Sequence, residues 1–125
     1  IIKNQIDFKT HIPNPKLTIN TDAGLLEQVI INLLINSADA MSNSKHKILT
    51  ISAYQNNLNT IIEVKDTGCG IKKEVLDRIF VPFYSTKNHG SGIGLSLSKQ
   101  IINVLDGTIK IDSKPDAGTT FYLVF

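Results

Sequence analysis

Short stretches rich in β-branched and aromatic residues, several of them alternating apolar with polar positions, predict β-strands along much of the chain. Turn-forming residues separate them: Pro13 and Pro15 end the first, "QNNLN" divides a central pair, and "KPDAG" divides a closing pair. Both pairs are therefore expected to form antiparallel hairpins. The predicted strands cover residues 5–12, 16–20, 47–54, 59–66, 108–113 and 119–125.

Apolar residues recur at helical spacing in three other stretches, so helices are expected near 23–41, 72–79 and 94–105. Asp22 can cap the first helix, and Gly107 is suited to stop the last. The expected apolar faces comprise Leu26, Val29, Ile30, Leu33, Leu34 and Ala38 in the first helix, and Leu97, Ile101, Val104 and Leu105 in the last. This order of elements predicts an α/β two-layer sandwich, a mixed or largely antiparallel sheet with about three helices on one face.

Length and composition place the chain among ordinary globular domains. Its 125 residues suit a single domain over 1–125, and 42% of them are hydrophobic and 19% charged. A net charge of +2 without a cluster of Lys and Arg argues against a nucleic-acid partner. No apolar run is long enough to span a bilayer, so we expect a cytoplasmic domain without direct membrane contact. Because Ile1 is not an initiator Met, the sequence is expected to be part of a longer protein.

Two asparagines interrupt the apolar face of the first predicted helix. Asn32 and Asn36 are four residues apart, and thus about 40° apart around a helix axis, so they share one edge of that face. Taken alone, this helix favours a satisfied buried polar pair, and the edge of a binding site is the alternative.

The first glycine cluster lies in "DTGCGI", directly after a predicted strand. A tight turn alone explains it, because glycine adopts positive φ without a steric cost. Alternatively, Asp66 accepts a hydrogen bond from an exocyclic amine such as the N6 group of adenine, while Gly68 and Gly70 let a flat ring approach the backbone. Cys69 lies inside this turn; we expect its side chain to pack there, and a single cysteine excludes an internal disulfide.

The second cluster, Gly90, Gly92 and Gly94, opens the last predicted helix. Free N–H groups and the helix dipole make such a position suitable for a phosphate. The cluster is neither a Walker A loop nor a dinucleotide fingerprint, because no Gly-Lys-Ser/Thr follows and Leu95 occupies the place of the last small residue. A flexible glycine-rich loop is the alternative.

Taken together, five blocks stand in one order: "LLEQVIINLLINSADAM", "DTGCGI", "FVPFYSTK", "GSGIGLSLSKQII" and "GTTFYLVF". This order resembles the catalytic ATP-binding domain of two-component sensor histidine kinases. That domain belongs to the superfamily that includes DNA gyrase, a heat-shock chaperone and mismatch-repair ATPases. The resemblance covers nearly the whole chain and implies the Bergerat type of α/β sandwich.

The resemblance also implies roles for matched positions. Asn36 matches a Mg²⁺ ligand, and Asn32 matches a catalytic asparagine beside the metal and the phosphates. Asp66 matches the carboxylate that binds adenine. Lys87 matches a catalytic basic residue that approaches the γ-phosphate from the nucleotide lid. Further matched cofactor-binding positions are Gly68, Gly70, Ile71, Phe80, Phe83, Gly90, Gly92, Gly94, Leu95 and Thr120. As alternatives, the two aromatic residues are simply core side chains and Lys87 is a solvated charge.

By the same resemblance, the chain is expected to bind Mg·ATP and to transfer the γ-phosphoryl group to a histidine. That histidine would lie on a separate helical domain of a homodimer, and a response regulator would receive the phosphoryl group afterwards. His11, His46 and His89 do not match the sequence context of such an acceptor.

Two other functions remain open. ATPase members of the superfamily carry a glutamate base where this chain has Asn32, which cannot take a proton, although Asp39 is an acidic residue found in some of them. In the second alternative, nucleotide binding only switches a contact between domains.

Overall fold

The computed structural model describes residues 5–84 and 94–125. In this part of the chain five strands form one sheet, in the order β1-β2-β3-β5-β4. The strands are β1 (Asp7–His11), β2 (Ile48–Asn56), β3 (Asn59–Asp66), β4 (Thr108–Ser113) and β5 (Thr119–Val124), and the helices are α1 (Ala23–Ala40), α2 (Lys73–Leu76) and α3 (Gly94–Val104). β1 pairs in parallel with β2, and the other neighbours are antiparallel. The expected mixed sheet with three helices is thus confirmed.

The core lies between the sheet and the two longer helices. α1 packs on β3 and on α3, and α3 packs on β4. Alternate residues of β5 are buried, as expected for a sheet with one covered face. The buried apolar side chains are Val29, Leu33, Met41, Leu49, Ile62, Val64, Ile79, Ile101, Ile102, Ile109, Phe121 and Leu123.

Both predicted hairpins and the first helix are confirmed. β2 turns back into β3 at Asn57, which adopts a positive φ of 56°. At the start of α1, the Asp22 carboxylate accepts a hydrogen bond from the Leu25 N–H at 3.0 Å, which satisfies one of the free donors of the first turn.

The strand predicted at residues 16–20 is not formed. A turn at residues 14–17 occupies the start of this stretch, and residues 17–20 have no regular secondary structure. In the turn, the side-chain oxygen of Asn14 accepts from the Lys16 N–H at 3.0 Å and the Asn14 carbonyl accepts from the Leu17 N–H at 3.1 Å. Asparagine promotes such turns through its own side chain, and this local preference outweighs the apolar alternation that follows. β1 exists, but as an edge strand whose five residues are all exposed.

The later helices also differ from the pattern. α2 has only four residues, and turns replace the rest of the expected helix near 72–79. In α3 the buried face is formed by Ser96, Ser98, Ile101 and Ile102, whereas Leu97 and Val104 are exposed. The prediction that Leu97 and Val104 form the buried face is therefore wrong, because two serines occupy core-facing positions.

The end of α3 shows how the helix stops. The N–H of Gly107 bonds to the Ile102 carbonyl at 2.9 Å and that of Asp106 to the Asn103 carbonyl at 3.1 Å, the pattern of a Schellman motif. Asp106 takes the left-handed conformation (φ 61°), rather than Gly107 as the sequence suggested. A Cβ on Gly107 would lie 2.9 Å from the Phe125 ring, so a side chain here would have to displace that ring.

Candidate functional site

Asp66 and the first glycine cluster lie where β3 ends, close to the end of α1. β3 is flanked by β2 and β5, and its last residue, Asp66, pairs with Leu49 on one side and Thr119 on the other. Asp66 is only 2% exposed, and its Oδ1 accepts a hydrogen bond from the Gly68 N–H at 2.8 Å. The sheet therefore presents one buried carboxylate at the start of the glycine turn.

Gly68 lies against the end of α1. A Cβ at this position would be 2.6 Å from the carbonyl oxygen of Ala40, and the next N–H, that of Cys69, donates to that same oxygen at 3.1 Å. Only glycine allows the turn to approach the helix so closely.

Gly70 lies against the turn between β4 and β5. It adopts φ +72°, and a Cβ would overlap the carbonyl oxygen of Lys114. The Asp116 N–H donates to the Cys69 carbonyl at 2.7 Å, so the glycine turn is held from both sides. The Cys69 side chain itself is exposed, so the expectation that it packs inside the turn is wrong.

The environment of Asp66 opposes its ionisation. Burial raises the pKa of the Asp66 carboxyl, and hydrogen bonds from the Gly68 and Thr119 N–H groups, together with the nearby Ser37 hydroxyl, lower the pKa without fully offsetting burial. A carboxylate that is desolvated in this way gains from any further hydrogen-bond donor that reaches it.

α1 brings its polar edge to this carboxylate. Ser37 is 1% exposed and adjoins Asp66, so the preceding residue, Asn36, lies on the same stretch of helix above the end of β3. Asn32 lies one turn earlier and reaches the other helix instead, where its Nδ2 donates to the Ser98 hydroxyl at 2.8 Å. Asn32 therefore joins α1 to α3.

The aromatic residues before the undescribed segment 85–93 differ in environment. Phe80 packs partly against the core, and the ammonium of Lys99 lies 5.1 Å from its ring centroid, a cation–π contact between the α2 region and α3. Phe83 is 80% exposed and has a φ of 66°. The alternative that Phe83 is a core aromatic is thus wrong, whereas it holds in part for Phe80.

The second glycine cluster is described only in part. Gly94 begins α3, and Leu95 packs partly against the core. Lys87, Gly90 and Gly92 lie outside the described residues.

Thr119 and Thr120 are neighbours in β5, so their side chains lie on opposite faces of the sheet. Thr120 pairs with Lys65 and its side chain bonds to Tyr122, which places it on the face of the sheet opposite to Asp66. Thr119 is 4% exposed and pairs directly with Asp66. The structure therefore brings Thr119, not Thr120, to the candidate site.

Ile71 continues the same loop. Its N–H donates to the Ser113 hydroxyl at 2.9 Å, and its side chain packs partly against the core.

Three polar residues at this site were missed in the sequence: Ser37, Ser98 and Thr119. Each stands at a position where the helix or strand period calls for an apolar side chain. A polar residue at such a position is the feature of the sequence that could have identified them, and it is the feature that identified Asn32.

The described residues contain no group of three or more His, Cys, Asp or Glu side chains able to hold a metal ion on its own. The polar groups beside Asp66 are amides and hydroxyls. Within the same ranges, no helix is both long and apolar enough to cross a membrane.

Comparison with known proteins agrees with this arrangement. The family described as histidine kinase-, DNA gyrase B-, and HSP90-like ATPase matches residues 21–125. The signal transduction histidine-protein kinase AtoS of Escherichia coli is 38% identical over 123 residues, which are 98% of this chain and 20% of AtoS. Sporulation kinase C of Bacillus subtilis is 37% identical over 124 residues, 99% of this chain and 28% of the kinase. The chain thus spans less than a third of either relative.

Solved structures give the same fold. The nucleotide-free catalytic domain of histidine kinase ThkA has a TM-score of 0.86 at 29% identity, covering 99% of this chain and 80% of that chain. Full-length ShkA in complex with AMPPNP has a TM-score of 0.84 at 22% identity, covering 98% of this chain and 26% of ShkA. The chain therefore belongs to the histidine kinase-, DNA gyrase B- and HSP90-like ATPase family, and its fold is that of a histidine kinase catalytic domain.

Proposed function

We propose that this chain binds Mg·ATP and transfers the γ-phosphoryl group to a histidine on a helical phosphoacceptor domain of a longer protein. The observation that carries the proposal is the buried carboxylate of Asp66, 2% exposed at the end of β3 beneath the polar edge of α1. A carboxylate in such a place is costly unless a ligand donor reaches it.

At the base end of the site, Asp66 accepts a hydrogen bond from the adenine amino group. Gly68 forms a floor without side chains, and the adjoining hydroxyls of Ser37 and Thr119 keep this end polar. Guanine has a carbonyl where adenine has the amino group, so it would leave the carboxylate facing an acceptor.

At the phosphate end, the amide oxygen of Asn36 is the hard donor that Mg²⁺ prefers. Because the described residues offer no complete metal cluster, this chain would hold the ion only together with the phosphates of the nucleotide, as is usual for Mg²⁺. When bound, Mg²⁺ neutralises charge on the phosphates. The start of α3 at Gly94, with Lys87, Gly90 and Gly92 from the preceding segment, would complete this end.

The transfer itself needs positioning more than covalent chemistry. The acceptor imidazole nitrogen attacks the γ-phosphorus, the bond to the β-phosphate oxygen breaks, and ADP leaves. Asn32 cannot act as a base toward water, which favours a kinase over an ATPase. Asp39, the residue that pointed toward an ATPase, is exposed on α1.

The partners follow from the same proposal. The acceptor domain would belong to the same protein in a homodimer, and a response regulator would take the phosphoryl group from the histidine. We place the domain in the cytoplasm, where ATP is available, without nucleic-acid or direct membrane contact.

The test is to incubate the full-length protein that contains this chain with ATP labelled at the γ-phosphate. We expect an acid-labile phosphohistidine, formed only when Mg²⁺ is present. Steady release of inorganic phosphate without any phosphoprotein would support the ATPase alternative. Nucleotide binding with neither product would support the binding-module alternative.

A further inference from the structure

The side chain of Asn32 is held against the first turn of α3. Its Nδ2 donates to the Ser98 hydroxyl at 2.8 Å, and Ser98 is 2% exposed. This hydrogen bond joins α1 to α3, two helices that are distant along the chain. It also engages one of the two N–H donors of the Asn32 amide and turns the nitrogen end of that amide toward Ser98.

Gly94 provides the second contact with the same amide. A Cβ on Gly94 would lie 2.7 Å from the Oδ1 and 3.0 Å from the Nδ2 of Asn32, so the amide fills the space that a side chain would need. Gly94 and Ser98 are one turn apart and therefore lie on the same side of α3. Together they form a notch for the amide, and Asn32, Gly94 and Ser98 all line a groove of about 210 Å³ between the helices.

The notch restricts the direction in which the amide points. The terminal torsion of asparagine is normally broad and roughly two-fold, so a free Asn32 would present either its oxygen or its NH₂ group to a neighbour. With Nδ2 bound to Ser98, the oxygen is the end left at Gly94, where α3 begins. An amide oxygen accepts hydrogen bonds and binds hard cations, whereas an NH₂ group does neither.

We propose that Ser98 is a positioning residue: it holds the Asn32 amide so that its oxygen faces the phosphate end of the site. The Ser98 hydroxyl is engaged by the Asn32 amide, so we assign Ser98 a role that acts only through Asn32. This inference rests on the proposed function, because it assigns a second residue to the same phosphoryl transfer.

The experiment is a double-mutant cycle in the full-length protein, with Ser98→Ala, Asn32→Ala and the two combined. Loss of one neutral hydrogen bond corresponds to about a tenfold fall in the rate of phosphohistidine formation at saturating ATP. We expect that fall in Ser98→Ala, with the KM for ATP changed less than twofold. In the Asn32→Ala background, Ser98→Ala should have no further effect. Two effects that multiply would overturn the proposal.

Ser98→Cys is the matched control for packing, because it keeps the shape of the side chain but is a weak acceptor. We expect it to be as slow as Ser98→Ala. A cysteine variant with the parent's rate would mean that Ser98 only fills space, and would overturn the proposal.

A measurement without nucleotide separates this inference from the proposed function. In the nucleotide-free chain, the side-chain NH₂ protons of Asn32 should exchange slowly with solvent and should exchange at least about tenfold faster in Ser98→Ala. Equal exchange rates would overturn the inference even if the kinase is active. A parent protein without phosphohistidine would instead overturn the proposed function.

Discussion

Replacing Gly70 by alanine tests the way the glycine turn is held in place. Gly70 has a φ of +72°, and a Cβ there would overlap the Lys114 carbonyl oxygen and lie 2.7 Å from its carbon. The left-handed conformation costs an alanine roughly 1 kcal/mol or more. Relief of the overlap would also separate the turn from the loop between β4 and β5, breaking the 2.7 Å hydrogen bond from the Asp116 N–H to the Cys69 carbonyl.

The total cost can be estimated from these parts. Overpacking costs about 1–3 kcal/mol and one lost hydrogen bond about 1 kcal/mol, so with the backbone strain we expect Gly70→Ala to lower the free energy of unfolding by roughly 3–5 kcal/mol. In a domain of this size such a loss lowers Tm by about 10 °C or more. The assay is urea unfolding of the chain followed by circular dichroism.

Gly24→Ala is the matched control. Gly24 lies in the first turn of α1, and the nearest atom to its Cβ would be the Asp22 Oδ1 at an ordinary 3.5 Å. Alanine is the better helix former, so this variant should gain about 0.5 kcal/mol. If Gly70→Ala were as stable as the parent, the argument from backbone overlap would be refuted.

Three further predictions address the site and the core. Asn36→Ala should weaken ATP binding only when Mg²⁺ is present and should abolish phosphoryl transfer; calorimetric titration with equal metal-dependent affinity in variant and parent would refute its role. Asp66→Asn should reduce the preference for ATP over GTP, measured by competition. Burial raises the Asp66 pKa, so the native state of the parent loses stability as pH rises through that pKa. Without nucleotide, Asp66→Asn should therefore unfold at a higher urea concentration than the parent at neutral pH. Equal unfolding midpoints would contradict this. Leu33→Ala should lower the free energy of unfolding in urea by about 2–5 kcal/mol, whereas Ile35→Ala should lower it by less than about 1 kcal/mol, because the Ile35 side chain is 55% exposed. Similar losses in both variants would refute the assignment of the core face of α1.

The sequence predicted elements best where one local signal agreed with the packing. Asp22 and the apolar period of α1 indicated the same helix, and both hairpins had turn residues between β-forming stretches. The prediction from sequence failed at residues 16–20, because the alternating apolar residues have no neighbouring strand to pair with and Asn14 forms a turn. It failed also in α3, because Ser98 faces the core only to meet Asn32, a contact between distant parts of the chain.

The same limit applies to the candidate site. Asp66 and Gly68 were found because their spacing in a turn is local. The choice between Thr119 and Thr120 depends on which face of β5 is covered, and that is decided by pairing with β3. The sequence pointed to Thr120 because it could not tell which face of β5 is covered.

The two hydrogen bonds that hold the glycine turn also bear on the order in which the domain folds. The backbone of Cys69 bonds to Ala40 on one side and to Asp116 on the other, partners that are far from it in sequence. Contacts between distant residues form late, because closing the long loops costs entropy before it is rewarded. A nascent chain therefore completes the pocket around Asp66 only after the turn between β4 and β5 has been synthesised. Any truncation before that turn should leave a chain that can form α1 but has no preformed place for a base.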